Sequence, residues 1–131
     1  MLIEDELFNE DHPPPMRPND WGYSVIRRTT FDALDLEGLS FDGLMQGCVI
    51  TSTELYWGFF NCAVVVGTRF EACRFPGASF RGCTIDDCLM AACRFVDCAW
   101  TTKAGDVARD ITRTRWLGCT QERCTGFEGL F

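Results

Sequence analysis

Nine cysteines and a single histidine are the residues of this 131-residue chain best suited to do chemistry. Thiols can pair as disulfides, ligate zinc or attack a substrate. Disulfide frameworks belong to oxidising compartments, and they use an even cysteine count. Here the count is odd, and the opening MLIEDELFNED is acidic, without the basic start and apolar run of a secretory signal. Zinc sites want close pairs such as C-x-x-C, usually with histidine. The closest cysteine spacing here is five, and His12 sits beside Pro13, Pro14 and Pro15. No serine or cysteine nucleophile has a histidine base in reach of sequence, and no glycine-rich phosphate loop occurs. Asp86 and Asp87 are adjacent carboxylates whose ordinary role is solvation. The residues therefore point to a protein that is not an enzyme and takes no metal and no cofactor. Within the clear repeats described below, only Cys62 lies where a reactive thiol could sit.

The cysteines gain a reason once the chain is read in blocks of five. From residue 78 it runs ASFRG, CTIDD, CLMAA, CRFVD, CAWTT: small, variable, large apolar, variable, variable. In the same frame the large centres are Met45, Ile50, Leu55, Phe60, Val65, Phe70, Phe75, Phe80, Ile85, Met90, Phe95 and Trp100. Two residues before each stands a small one: Gly43, Cys48, Thr53, Gly58, Ala63, Thr68, Cys73, Ala78, Cys83, Cys88, Cys93 and Cys98. Upstream, Trp21, Ile26, Phe31, Leu36 and Phe41 keep the spacing, with a one-residue slip between Phe41 and Met45. A period of five would scatter these centres around a helix and alternate them across a flat strand. They share one interior only if the chain turns a corner every five residues.

Blocks such as RFEAC, RFPGASF and RGCTI resemble the pentapeptide-repeat family, over roughly residues 21–100. The resemblance implies an all-β fold, a right-handed quadrilateral parallel β-helix with four pentads per coil and about four to five coils. Cysteine stands here where the family usually has alanine, and aromatics often replace leucine at the centre. Four pentads per coil put every fourth centre in one ladder. One ladder is then Trp21, Phe41, Phe60, Phe80, Trp100. The others are Ile26, Met45, Val65, Ile85; Phe31, Ile50, Phe70, Met90; and Leu36, Leu55, Phe75, Phe95. Most cysteines fall at the small inward position, as core hydrophobes. Cys119 and Cys124, again five apart, suggest a further partial coil. The domain reading is an acidic, proline-rich arm or cap over 1–20, the β-helix over 21–100, and a loop with an irregular last coil over 101–131. That last segment has two readings: a short helical turn around DVARDI, or pentads resuming at Ile111 and Trp116. The loop followed by an irregular coil plugged by Trp116 is preferred. Phe127 and Phe131 are candidates for end cover.

What the repeat does not absorb is an asymmetry of charge and an aromatic run. Residues 1–60 carry eleven acids and three arginines, net −8, whereas residues 61–131 come to +1. Such a surface repels nucleic acid and membrane phosphates and attracts basic proteins. The reading is therefore a soluble, cytoplasmic protein with no direct nucleic-acid or membrane partner. Tyr56, Trp57 and Phe59 lie at outward positions, flanked by Leu44, Val64 and Val66, with Asp35, Glu37, Asp42 and Glu54 nearby in the stacked arrangement. Aromatics rimmed by acids suit a basic partner. The same patch could instead take the N-terminal arm or a second copy in a homodimer. The outward column Asp35, Glu54, Arg74, Arg94 looks like an ion-pair ladder. The expected function is an acidic inhibitor or immunity protein that neutralises a basic partner such as a nuclease toxin. Two alternatives remain: a DNA mimic acting on DNA gyrase, as some members of the family are, or a structural scaffold.

Overall fold

A left-handed backbone step recurs every fifth residue and builds the molecule. The computed structural model describes residues 1–102, 104 and 109–131. Positive φ falls two residues after successive centres, as at Arg28, Ala33, Ser52, Trp57, Cys62, Ala72, Asp87, Ala92 and Asp97, with Gly38, Gly47, Gly67, Gly77 and Gly82 between them. Each such residue turns a corner. The three residues around each centre form the side of a square, and strands of successive coils pair in parallel to give four sheets. The result is a parallel β-solenoid of about five turns.

Register proves the ladders. On the first face Ile26 pairs with Met45, Met45 with Val65 and Val65 with Ile85. On the second, Phe31, Ile50, Phe70 and Met90 stack in order. On the third, the bridges Asp35 to Glu54 and Glu54 to Arg74 carry Leu36 and Leu55 up to Phe75, which pairs with Phe95. On the fourth, Phe41, Phe60, Phe80 and Trp100 align. Phe60 and Phe80 stack 5.0 Å apart at 7°, and Phe80 and Trp100 4.5 Å apart at 11°. Parallel strands set neighbouring coils about 4.8 Å apart, close to the spacing that stacked rings prefer. Trp21 closes the lower end of this ladder, edge-on to Phe41 at 6.2 Å and 87°.

The small inward slot explains the cysteines. The thiol of Cys73 donates to the Ile50 carbonyl of the coil below at 3.3 Å, that of Cys83 to Phe60 at 3.1 Å, and that of Cys98 to Phe75 at 2.8 Å. Thr53 and Thr68 occupy the same slot and donate to carbonyls two residues back, at 2.9 and 3.1 Å. A small side chain with a weak donor therefore fills the corner and keeps its polar atom satisfied. Burial pushes the Cys83 thiol up to about 11 and raises Cys48 and Cys88 as well. These are inert core thiols.

The one-residue slip has a steric consequence at Gly43. At Gly43 a Cβ would lie 1.9 Å from the Ser24 carbonyl oxygen. That oxygen accepts the Leu44 amide at 3.0 Å, so the shortened corner brings two coils into near contact.

Both ends depart from the sequence expectation. The first residues are not merely an irregular arm. Leu2–Glu4 and Leu7–Phe8 are strands that place Ile3 under Ile26 and Phe8 under Phe31. Acidic residues between these two centres, and the prolines after them, hid the frame. Beyond them His12 stacks on Phe8 at 5.5 Å and Met16 packs on the core, so residues 9–16 cover the column's lower end. At the other end the helical turn expected around residues 106–111 lies at 106–108 outside the described residues, and at Asp110 and Ile111 the chain is strand. From Asp110 regular pentads resume: Asp110–Thr112, Arg115–Leu117 and Thr120–Glu122 continue three faces. Trp116 is a stacked centre above Met90 and is not the plug. Phe127 is the plug, 2% exposed, against Phe95 at 5.2 Å and Trp100 at 5.7 Å. Phe131 stacks on Trp116 at 5.3 Å.

Arginine–aspartate pairs clip the end coils to the column. Arg28 binds Asp5 at 2.8 Å and Arg123 binds Asp97 at 2.8 Å. The Arg113 guanidinium pairs with Asp86 and, with the Thr112 hydroxyl, holds that carboxyl down at about 2.

Two outcomes follow. Gly43→Ala should cost about 1–3 kcal/mol in urea unfolding through overpacking. Gly47→Ala, with φ +62 but only an ordinary contact to Arg28 Cγ at 3.7 Å, should cost only about 1 kcal/mol. Equal losses would mean that the Ser24 contact is not the constraint. Since the folded Asp86 pKa of about 2 lies below the unfolded value of roughly 3.9, its contribution is complete above about pH 4 and is lost as pH falls through about 2. Melting temperature should therefore drop across that window, less steeply in Asp86→Asn.

Candidate protein-docking corner

The outward residues inherit the same register as the core. Residues one before and one after each centre stack into exposed columns. On the third face one column is Asp35, Glu54, Arg74, Arg94, so acids lie on the lower coils and arginines on the upper ones. Glu54 and Arg74 pair at 3.0 Å. Arg94 turns instead to Glu122, at 3.5 Å. The expected ion-pair ladder is thus two separate pairs. The Asp35 carboxylate accepts the Glu37 amide at 3.1 Å.

Tyr56 and Trp57 stand where this face meets the fourth. Their rings meet at 80°, with centroids 4.3 Å apart. Trp57 occupies the left-handed corner position, φ 55, between Gly38 below and Gly77 above. A bulky residue in this region carries backbone strain. Its amide is fixed by the Pro76 carbonyl at 2.8 Å. The indole lies across the Gly77 corner: its Cδ1 is 2.7 Å from where a Gly77 Cβ would stand. Trp57 is nevertheless 60% exposed. Asp35, Glu37, Glu54, Tyr56 and Trp57 together line a shallow cleft of about 280 Å³.

Five of the ten residues singled out in the sequence therefore converge here. Phe59 lies just around the corner on the fourth face, 41% exposed, stacked between Ser40 and Ser79. Asp42 is on that face too, beyond Phe41. Leu44, Val64 and Val66 do not join the cleft. They belong to the first face, where Leu2, Val25, Leu44 and Val64 make a separate aliphatic column. Tyr23, 76% exposed, was missed by the sequence reading, as was Leu2. Reading the first eight residues in frame would have found Leu2. The arm packs at the column's lower end and leaves the aromatic corner open. Asp86, beside Asp87, is held by Arg113. Cys62 is a corner residue, φ 55, half-buried beside Asn61. Among the described residues no group of histidine, cysteine and carboxylate side chains could hold a metal. No helix among them is long and apolar enough to cross a membrane.

The inward centres recur every five residues, apart from the slip before Met45 and the extra residues before Ile111, and four centres close each coil. This is a pentapeptide-repeat β-helix. QnrB1, a plasmid-mediated fluoroquinolone resistance protein, has a similar structure: TM-score 0.51 and 14% identity, over 95% of this chain and 68% of that one. Rfr23, a pentapeptide repeat protein of the cyanobacterium Cyanothece 51142, aligns with TM-score 0.49 and 12% identity, over 95% and 83% of the two chains. No protein-family model matches the sequence, and no curated protein matches it. At 14% identity the similarity to QnrB1 speaks to the fold alone. The pentapeptide-repeat column fills its axis with side chains, so chemistry and binding are left to the corners and faces.

The two aromatic sets should behave oppositely on substitution. Phe80→Ala in the core ladder should cost about 3–5 kcal/mol. Trp57→Gly should leave unfolding free energy unchanged or raise it by up to about 1 kcal/mol, by relieving left-handed strain. Denaturant unfolding of both variants checks this; a large loss in Trp57→Gly would make the indole a structural residue.

Proposed function

We propose that this protein is a non-enzymatic binding module, an acidic inhibitor or immunity protein that docks and neutralises a basic protein such as a nuclease toxin. The observation that carries this reading is the acid-rimmed aromatic cleft at Tyr56 and Trp57, held on a rigid column. Exposed aromatics supply anchoring area. Asp35, Glu37 and Glu54 supply charge where a nuclease would carry its phosphate-binding cations. The lower coils hold nearly all the net negative charge, so a basic partner is steered to this end of the molecule. The non-enzymatic reading is supported by polar groups spread along flat faces rather than converging in a deep cleft. Gyrase as the partner, or a purely structural role, remain the alternatives, and co-purification separates them.

Co-purification from the host, followed by identification and an activity assay, tests the reading. A strongly basic protein whose activity this chain suppresses is the expected result. Association should slow by more than about tenfold between 50 and 500 mM salt. Recovery of gyrase would favour the mimic, and a salt-insensitive or acidic partner would refute the proposal.

A further inference from the structure

The Tyr56–Trp57 corner has the chemistry of a seat for one particular group. Two aromatic faces meet nearly at right angles, 4.3 Å apart, and both are open to solvent. Such faces attract cations, and guanidinium groups most often. The carboxylates around them are short of positive charge. Asp35 and Glu54 are register partners on adjacent coils, so two like charges stand directly opposite. Arg74 relieves only one of them, through Glu54 Oε1 at 3.0 Å. Asp35 and Glu37 make no ion pair among the described residues. The rim already accepts one guanidinium from above and leaves room for a second from outside. The Trp57 backbone is held by the Pro76 carbonyl and the indole lies across the Gly77 corner, so little freedom remains to be lost on binding.

We infer that this corner receives an arginine side chain of a protein partner, with its guanidinium against the Tyr56 and Trp57 rings and its charge met by Asp35 and Glu37. The inference deepens the binding-module reading and rests on it for the identity of the partner as a basic protein. Arg74 is then an internal competitor, sharing Glu54 with the incoming group.

The full chain should be titrated at low salt with N-acetyl-arginine amide and with its uncharged isostere N-acetyl-citrulline amide, following backbone amides of residues 54–58 by NMR. Saturable shifts at these residues with arginine and not with citrulline are expected. Trp57→Asn, which tolerates the left-handed corner, should weaken arginine binding about tenfold, and Asp35→Asn with Glu37→Gln should do so comparably. Arg74→Met should tighten binding, because Glu54 is freed. Equal shifts with citrulline, unchanged binding by Trp57→Asn, or shifts spread over all the acidic residues would overturn the seat. The two proposals fail separately. A seat that binds arginine in a protein that captures no basic partner sinks only the inhibitor reading. A basic partner held with full affinity by Trp57→Asn sinks only the seat.

Discussion

The recurring left-handed corner is the constraint on which everything else in this molecule rests. An L-residue enters that region at a cost of about 1–2 kcal/mol, and this chain does so at many turns of the square, with glycine at others. The cost is tolerable because each turn lets a large apolar side chain reach one continuous interior and lets both neighbouring strands pair. Glycine is the commonest corner residue for that reason, followed by alanine, aspartate and arginine. Trp57 is the one aromatic among the described corners, and strain at a bulky exposed residue is a pointer to use.

From the corner the rest follows in sequence. Three-residue strands leave one centre inward and its two neighbours outward. Stacking in register converts single residues into columns, so Phe60, Phe80 and Trp100 become a ring stack while Asp35 and Glu54 become a repulsive pair. The same geometry that fills the core thus concentrates charge on the surface. The two ends, where stacking stops, are closed by different devices. His12 and Met16 cover the lower end, Phe127 fills the upper one, and arginine–aspartate pairs tie the outer coils down. End coverage is what a solenoid requires to remain a discrete molecule.

Much of this was legible in the sequence because the period is the fold. The buried place of most cysteines could be read from spacing, the four ladders from spacing together with the four pentads per coil that the family resemblance implies, and the slip near Phe41 was visible. Its consequence was not: the contact between Gly43 and the Ser24 carbonyl exists only once two coils are stacked. Ile3 and Phe8 escaped notice because one pentad flanked by acids and prolines carries no period of its own. The last coil was obscured by the extra residues before Asp110 and by Gln121, a polar residue at a centre position that pairs with Phe95. At the site, Asp35, Glu37, Glu54, Tyr56 and Trp57 came together because they share a face or its corner. Leu44, Val64 and Val66 did not, because each further corner turns the chain a quarter of the way around the column. Proximity in sequence was the wrong measure for those three.

Amide hydrogen exchange of the chain alone and bound to a basic partner tests the central claim most directly, that a rigid register-stacked column presents one acid-rimmed aromatic corner. The free protein should show uniformly slow exchange in the central coils, from Leu44 to Trp100. Binding should add protection only around residues 35–38 and 54–59. Added protection along the aliphatic column of the first face, or faster exchange within the core ladders on binding, would contradict it.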